Sequence, residues 1–567
     1  MIILILSLVP CLLFSYEIMP VDSVREGMKG YGVSVFKGNR LDTFEVEILG
    51  VLEDVSPERK MILARLSGSG LEKTGIIAGM SGSPIFINGK IIGAAAYGWS
   101  FSLEPITGIT PIEEILATKD ALYDEYGQDR EMKIHGKGMV SPYSGVTLSR
   151  IQTPLVVSGF DNWLLKDIET FFSGKGFSVV LGGGSSGKHE GTDSLFVGSG
   201  VSAELVQGDA SIGAVGTVTY ISGNDVYAFG HPLFFSGDVS FPMSTAYVYA
   251  VMPSQYSSFK IASPEKEIGA VFQDRSDAIY GVMGEKARTI PLDITVSKEK
   301  SSKDFHFTIV DHKDLTPFFA GITITNSILT QGRGYGDLTI DLDVDLRLDP
   351  YGSVKVRNFF SGINALTFSS NTINDVISLI LNDRFEEITI EGISILAHVS
   401  EDERSAMIET AKPSKYFVKR GESVKVTAFM KGSGGENYEE KFTLKIPETC
   451  SDSIVKIAVI GADGLISLET ERVMDRFVPE RPGQFIEMLN ILPRNNVLYC
   501  MLLTSRVGMF MKGYEMRSLP SSMLHLMEDS QNLGEGRFTK GEIIARLERV
   551  CDYVVSGSSV LTLKVTD

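Results

Sequence analysis

Short apolar runs separated by glycine-marked turns recur along most of the chain. From Gly27 to Tyr97 the runs Gly32–Phe36, Phe44–Leu49, Met61–Arg65, Ile85–Ile87 and Ile91–Ala95 are each about a strand long, and Asn88-Gly89 joins the last two. Asn-Gly between apolar runs predicts a hairpin, because both turn residues must take positive φ. This region is predicted to be β and barrel-like. A helix is expected from Pro111 to about Tyr126, since Thr110 suits an N-cap, Pro111 the first helical position, and Glu113 completes a capping box. A second β region spans Ser202 to Val296, with Ile212–Tyr220, the Ser222–Asn224 turn, Val226–Phe229 and then Gly230-His231-Pro232.

Residues 127–195 read as a spacer with a helix near Trp163–Phe172, ending in the glycine-rich Gly182–Gly187. A phosphate loop would need a Gly-Lys-Ser/Thr ending and a helix after it, and Lys188-His189-Glu190 supplies neither, so a flexible loop is expected. Beyond residue 300, Leu338–Leu348 alternates apolar and polar residues as a half-buried strand does, and a helix carries Ile373, Val376, Ile377 and Ile380 on one face. Tyr416–Pro447 reads as sandwich-like antiparallel strands around Gly432–Gly435. Strands at Ile454–Ile460, Val497–Leu503 and Val560–Val565 then mix with helices expected near Gln484–Leu492 and Lys540–Val550.

The expected segmentation is a signal peptide at 1–15, a serine-bearing barrel half at 16–126 and the spacer at 127–195. A histidine-bearing barrel half follows at 196–298, then a β-rich domain at 299–410, a sandwich-like segment at 411–450 and an α+β domain at 451–567. A chain of 567 residues is too long for one hydrophobic core, and 43% hydrophobic with 22% charged residues is the balance of a globular protein. The net charge of −18, without a Lys/Arg cluster, argues against a nucleic-acid partner and leaves a peptide or protein as the expected one. Met1–Phe14 is an apolar run too short to span a bilayer comfortably, followed by Ser15, which predicts cleavage there and export to the periplasm or beyond. Cys450, Cys500 and Cys551 show no metal-ligand spacing; one disulfide with an odd thiol and no disulfide both fit, and no cofactor is expected.

The chemistry centres on Gly79-Met80-Ser81-Gly82-Ser83-Pro84. A nucleophilic serine of the chymotrypsin-like kind needs a tight turn before it, so that backbone N–H groups converge on the developing oxyanion, and a glycine after it so that the chain can leave. The N–H groups of Gly79 and Ser81 would form that oxyanion hole. An α/β-hydrolase elbow would need glycine where Ser83 stands. A structural Ser-Gly turn is the plain alternative. Serine also needs a base, and among seven histidines His231 alone follows an apolar strand directly between glycine and proline. His135, His189, His306, His312, His398 and His525 sit in charged or amphipathic surroundings.

Leu71–Ile85 with Phe44–Leu49 and Asn88–Gly93 resembles the serine-bearing half of the stage IV sporulation protein B peptidase family. Gly213–Tyr220 with Tyr227–His231, Glu267–Gly269 and Ala278–Gly281 resembles its histidine-bearing half. The resemblance implies a chymotrypsin-like serine peptidase with Ser81 as nucleophile and His231 as base. It departs from the family in three ways: the serine half comes first, as in a circular permutation; no PDZ module is recognisable; and the family's catalytic aspartate aligns near Ser67. Asp225, Asp238, Asp274 and Asp277 are candidates to replace it, each also readable as a surface or turn residue. The fold expected is mainly β, a circularly permuted chymotrypsin-like double β-barrel with a β-rich, partly α+β C-terminal extension. The function expected is an exported serine endopeptidase acting on a protein, conceivably itself; the alternative is a catalytically weak relative that binds polypeptides or scaffolds the envelope.

Overall fold

The computed structural model describes residues 16–566, apart from 57–58, 100–101, 121–138, 141–146, 184–193, 300, 332–335, 384, 474–475, 480, 512–513, 518, 521 and 524–536. The expected signal peptide therefore lies outside the described residues, as do His135, His189, His525 and residues 184–187 of the glycine-rich stretch. The chain divides into two compact units, one of Met1–Thr289 with Phe307–His312 and one of Ile290–His306 with Lys313–Asp567.

The first unit holds two closed barrels. Its opening strands are β1 (Lys29–Lys37), β2 (Arg40–Ser56), β3 (Arg59–Ser67), the short β4 (Ile77–Ala78), β5 (Pro84–Ile87), β6 (Lys90–Trp99) and β7 (Ile106–Pro111). Along β2, Phe44, Val46 and Ile48 are buried while Glu45 faces out, the period-two pattern that places one face of a strand in a core. The pairing runs β1-β2-β3-β7-β6-β5 and returns to β1 through Tyr31↔Phe86 and Gly32↔Ile85, all antiparallel. Closure depends on glycine: a Cβ at Gly30 would lie 2.0 Å from the Phe86 carbonyl oxygen.

Between the barrels lie β8 (Met139–Val140), β9 (Thr147–Arg150), β10 (Thr153–Ser158) and β11 (Phe177–Leu181). The second barrel is built from β12 (Gly200–Gly208), β13 (Ser211–Ser222), β14 (Asp225–Ala228), β15 (Gly237–Met252), β16 (Ser258–Asp274) and β17 (Ile279–Met283). Its antiparallel ring is β12-β13-β14-β17-β16-β15, closed by β12 on β15. When each barrel's strands are counted in chain order, both rings read first-second-third-sixth-fifth-fourth. This shared order, with closure that leaves no free sheet edge in either ring, is a chymotrypsin-like double barrel.

The helices of this unit are α1 (Leu71–Thr74), α2 (Ile112–Ala117) and α3 (Asn162–Phe172). The Asp161 carboxylate caps α3 by accepting from Trp163 N at 2.9 Å, as the helix expected there requires. The helix expected from Pro111 is shorter, with Pro111 itself outside it at the N-cap, and residues 121–126 fall outside the described residues. Thr110 does not cap it: its hydroxyl donates to the Gly230 carbonyl at 2.7 Å, in the histidine loop.

In the second unit Leu338–Asp349 pairs with Gly352–Gly362 and Thr389–Ser400, and α4 (Thr316–Leu329) lies against α5 (Ala365–Leu381). Gly321 permits that approach, since a Cβ there would sit 2.0 Å from Asn374 Oδ1. α4 was not expected, because its run of Thr, Ile and Phe carries strand-like residues on every side and lacks an amphipathic period. Two further helices, α6 (Ala462–Arg472) and α7 (Pro482–Asn490), accompany two sheets around a shared core that includes Cys450, Cys500 and Cys551, all free thiols. The helix expected at Lys540–Val550 is instead a strand, Glu542–Val550. Its helix-favouring Ala, Leu, Glu and Arg are overridden by antiparallel pairing with Val497–Thr504.

Candidate functional site

Ser81 lies in the connection between the third and fourth strands of its barrel, and His231 occupies the same connection of the other barrel. The serine turn needs left-handed backbone at two positions, Gly79 at φ +92° and Gly82 at φ +90°, which glycine adopts without a Cβ clash. All four carbonyls from Gly79 to Gly82 are taken. Thr217 Oγ1 donates to Gly79 O at 3.1 Å, Ser83 N to Met80 O at 3.0 Å, Thr217 N to Ser81 O at 2.9 Å, and Thr219 Oγ1 to Gly82 O at 2.8 Å. Three of those bonds come from β13, so the second barrel holds the serine turn of the first. β4, just before the turn, also pairs with β16 through Ile77↔Ser258 and Ala78↔Phe259.

The histidine loop follows β14 and is bent by Phe229 at φ +69° and Gly230 at φ +66°. Its far side is fixed by Asp274, whose buried carboxylate accepts from Leu233 N and Phe234 N at 2.7 Å each and from Ser236 N at 3.3 Å. The two loops are in direct contact. A Cβ at Gly82 would lie 2.1 Å from the Thr217 carbonyl oxygen and 2.5 Å from Phe229 N; one at Gly230 would lie 3.1 Å from the Ala94 side chain. Gly82 N in turn donates to Ala95 O at 2.8 Å.

Ser81 is 0% and His231 2% exposed, and among the described residues neither Ser81 Oγ nor His231 Nε2 has a hydrogen-bond partner, so the two are not bonded to each other. Buried polar atoms are nearly always paired, so two unpaired ones on touching loops, a hydroxyl and an imidazole nitrogen, make this the candidate site. His231 Nδ1 lies 2.9 Å from the Pro232 carbonyl oxygen. A carbonyl only accepts, so Nδ1 carries the proton and Nε2 presents a lone pair. Burial pushes the imidazole pKa down to about 3, helped by the Arg150 guanidinium, while the Pro232 and Ile151 carbonyls oppose the shift.

None of the four candidate aspartates contacts the imidazole among the described residues. Asp225 is held by Lys119 and Tyr280, Asp238 by Arg275, Asp277 by Arg59 and Ser276, and Asp274 by the backbone of the histidine loop. The carbonyl of Pro232 stands where a triad would place a carboxylate. Of the two N–H groups expected to stabilise an oxyanion, Ser81 N–H has no acceptor among the described residues, while Gly79 N–H donates to the Gln152 carbonyl at 3.2 Å.

Lys260 is the residue that sequence reasoning passed over. Its ammonium is fully buried beneath the serine turn, 3.0 Å from Ser34 Oγ and 3.3 Å from Thr217 Oγ1, and Ser34 also accepts from Ser83. Burial pushes its pKa down to about 7 from 10.5. Below about pH 7 the folded protein therefore bears the full cost of a buried charge, and above about 10.5 it bears none. Lys260→Met is expected to raise stability by about 2–4 kcal/mol near neutrality, because Thr217 and Ser34 keep their other hydrogen bonds. Urea midpoints should show the gain shrinking steadily from neutral to alkaline pH; a gain independent of pH would mean that the lysine is not buried charged.

Of the remaining described histidines, His306 contacts Asp293 and His398 contacts Ser297 away from this site, while His312 contacts Ser236 at the far side of the histidine loop. Comparison with known proteins adds one match: residues 14–108, which include the whole serine-bearing turn, match the family described as SpoIVB peptidase S55. No curated protein and no solved structure matches the chain.

Proposed function

We propose, from the match of residues 14–108 to the SpoIVB peptidase S55 family, that this chain is an exported serine endopeptidase that cleaves polypeptides through an acyl-enzyme, with Ser81 as nucleophile and His231 as general base. The observation that carries the reading is the pair of bare, buried atoms, Ser81 Oγ and His231 Nε2, on loops packed against each other. In the first step the Ser81 O–H proton passes to Nε2 as Oγ bonds to the scissile carbonyl carbon. The oxygen that gains charge accepts from Ser81 N–H, and from Gly79 N–H once Gln152 O has moved away. Protonated His231 then gives its proton to the leaving nitrogen, the C–N bond breaks, and an ester of Ser81 remains. Water attacks that ester while Nε2 takes its proton, which returns to Ser81 as the acid product leaves. The Pro232 carbonyl does the orienting that a carboxylate does in a full triad, but it carries no charge to stabilise the imidazolium. That favours slow turnover, and is the observation that keeps a polypeptide-binding role as the second reading. Export rests on the apolar run Met1–Phe14.

A fluorophosphonate probe applied to the full chain separates the two readings. The expected result is one adduct, located by peptide mapping on Ser81 and absent from Ser81→Ala. Folded protein that takes up no probe after prolonged exposure would leave only the binding role.

A further inference from the structure

A strand of the protein's own chain runs along the sheet edge beside the serine turn. β6 is paired with β7 on one side along Gly93–Gly98, and with β5 on the other side only as far as Ala94. From Ala96 onward that second edge is taken by β9 and the residues after it. Trp99 pairs with Leu148, Gly98 with Ser149 and Tyr97 with Arg150, antiparallel, and Ile151 N donates to Ala96 O at 2.8 Å. The next residue, Gln152, puts its carbonyl oxygen on Gly79 N–H at 3.2 Å, while the Ile151 carbonyl lies close enough to the imidazole of His231 to favour its charged form. A single extended segment thus satisfies the open edge of β6, approaches the base, and occupies one of the two N–H groups beside the nucleophile.

The side chains fit the same picture. Ile151 is buried with Ile77, Met80, Ile85 and Ala95, the apolar residues that flank the serine turn. Arg150 clamps the segment by donating from Nη1 to the Pro232 carbonyl at 2.9 Å, and Ser257 Oγ donates to Gln152 Oε1 at 3.2 Å. Main-chain pairing on a sheet edge with one side chain in a pocket is how proteins bind extended peptides.

We infer that the edge of β6 from Ala96 to Trp99 is the docking groove for an extended polypeptide bearing a branched aliphatic side chain beside the scissile region, and that Leu148–Gln152 fills this groove as an internal occupant which substrate must displace. The inference rests on the proposed role of Ser81 for its reference to a scissile bond, but not for the groove itself. It accounts for the complete burial of Ser81 and His231 and for the engaged Gly79 N–H.

The test uses the full chain and a fluorescent peptide of the sequence Thr-Leu-Ser-Arg-Ile-Gln-Thr, that of residues 147–153. Weakening the occupant with Arg150→Ala plus Ile151→Gly is expected to raise the rate of fluorophosphonate labelling about tenfold or more, a change of about 1.4 kcal/mol in the barrier. It is also expected to create a site that binds the peptide by fluorescence polarisation, which wild type binds far more weakly. The same peptide with aspartate in place of its isoleucine should not bind. Arg150→Ala alone, which leaves the buried Ile151 in place, should show both effects in smaller measure and serves if the double variant does not fold. Folded variants that label at the wild-type rate and bind no peptide overturn the inference while leaving Ser81 as nucleophile. Peptide binding without any labelling supports the groove and sinks the peptidase reading instead.

Discussion

His231→Ala is expected to slow fluorophosphonate labelling of Ser81 by about 10³–10⁴-fold while leaving the fold intact. Without Nε2 to take its proton, the alcohol reacts only as a free hydroxyl would, and what remains is the help of the Ser81 N–H. The loss in stability should be modest, about 2–3 kcal/mol for a vacated buried ring. Its Nδ1 hydrogen bond goes to Pro232 O, and that oxygen keeps Arg150 as a donor. The pH dependence is the sharper measurement. With a pKa held at about 3 by burial, the imidazole is neutral, and so able to act as base, at every pH above that value. Wild-type labelling should then be nearly flat from about pH 8 to about pH 5, where an exposed histidine would already have lost most of its base form. Displacing Leu148–Gln152 lets water reach the ring and should move the acid limb upward toward 6.5. The same burial makes His231 a stability term: its contribution is complete above the ordinary value of 6.5 and is lost as pH falls toward about 3. A wild-type profile that halves near 6.5 would show that the reacting protein holds the ring in water.

Much of this arrangement could be read from local pattern, and what could not has identifiable causes. Gly79-Met80-Ser81-Gly82 announces its turn because two glycines are needed at positive φ, and Gly230-His231-Pro232 stands out because it directly follows an apolar strand. Nothing local says that β13 reaches across to hold the serine turn. In retrospect Thr217 and Thr219 give a hint, since alternate residues of a strand share a face and both carry hydroxyls into a buried region. Thr110 misled for a physical reason: a hydroxyl before proline and glutamate is as good a helix cap as any, and only the opposing barrel offers it the Gly230 carbonyl instead. Lys260 gave no signal at all, because a lysine in a strand is ordinarily a solvated one. The occupant of β6 was equally silent. Its residues fall at the junction between a barrel and the spacer, where strand pairing is decided by which edge lies vacant and not by the segment's own pattern.

Because the two barrels share a strand order, the placement of the two loops does not depend on which barrel comes first in the chain. Each barrel contributes the connection between its third and fourth strands, so exchanging which barrel comes first changes the linker and leaves both loops in place. The cost falls on the linker, which must run from the end of the serine barrel to the start of the histidine barrel. Here it passes through β9 and Ile151 along β6 and continues into β10, which pairs with β13 from Leu155↔Ala214 to Ser158↔Ser211. This linker therefore threads a strand of the chain beside Ser81 and His231.

Gly82→Ala should be among the most destabilising glycine-to-alanine changes in this protein. The site imposes two independent penalties. At φ +90° an L-residue is already strained, and the added Cβ would lie 2.1 Å from the Thr217 carbonyl oxygen and 2.5 Å from Phe229 N, backbone atoms that cannot rotate out of the way. Relief requires the serine turn and the histidine loop to separate, which breaks the Thr217 N to Ser81 O and Thr219 Oγ1 to Gly82 O bonds together. Gly89→Ala isolates the first penalty, since Gly89 has φ +78° but a methyl added there would meet nothing within 4 Å. The expected cost is about 1 kcal/mol at Gly89 and more than about 4 kcal/mol at Gly82, read as urea midpoints, with Ser81 labelling retained in the first variant and lost in the second. If the two variants unfold at the same urea concentration and label alike, the loops that carry Ser81 and His231 are not pressed together, and the proposed route for proton transfer between them fails with that contact.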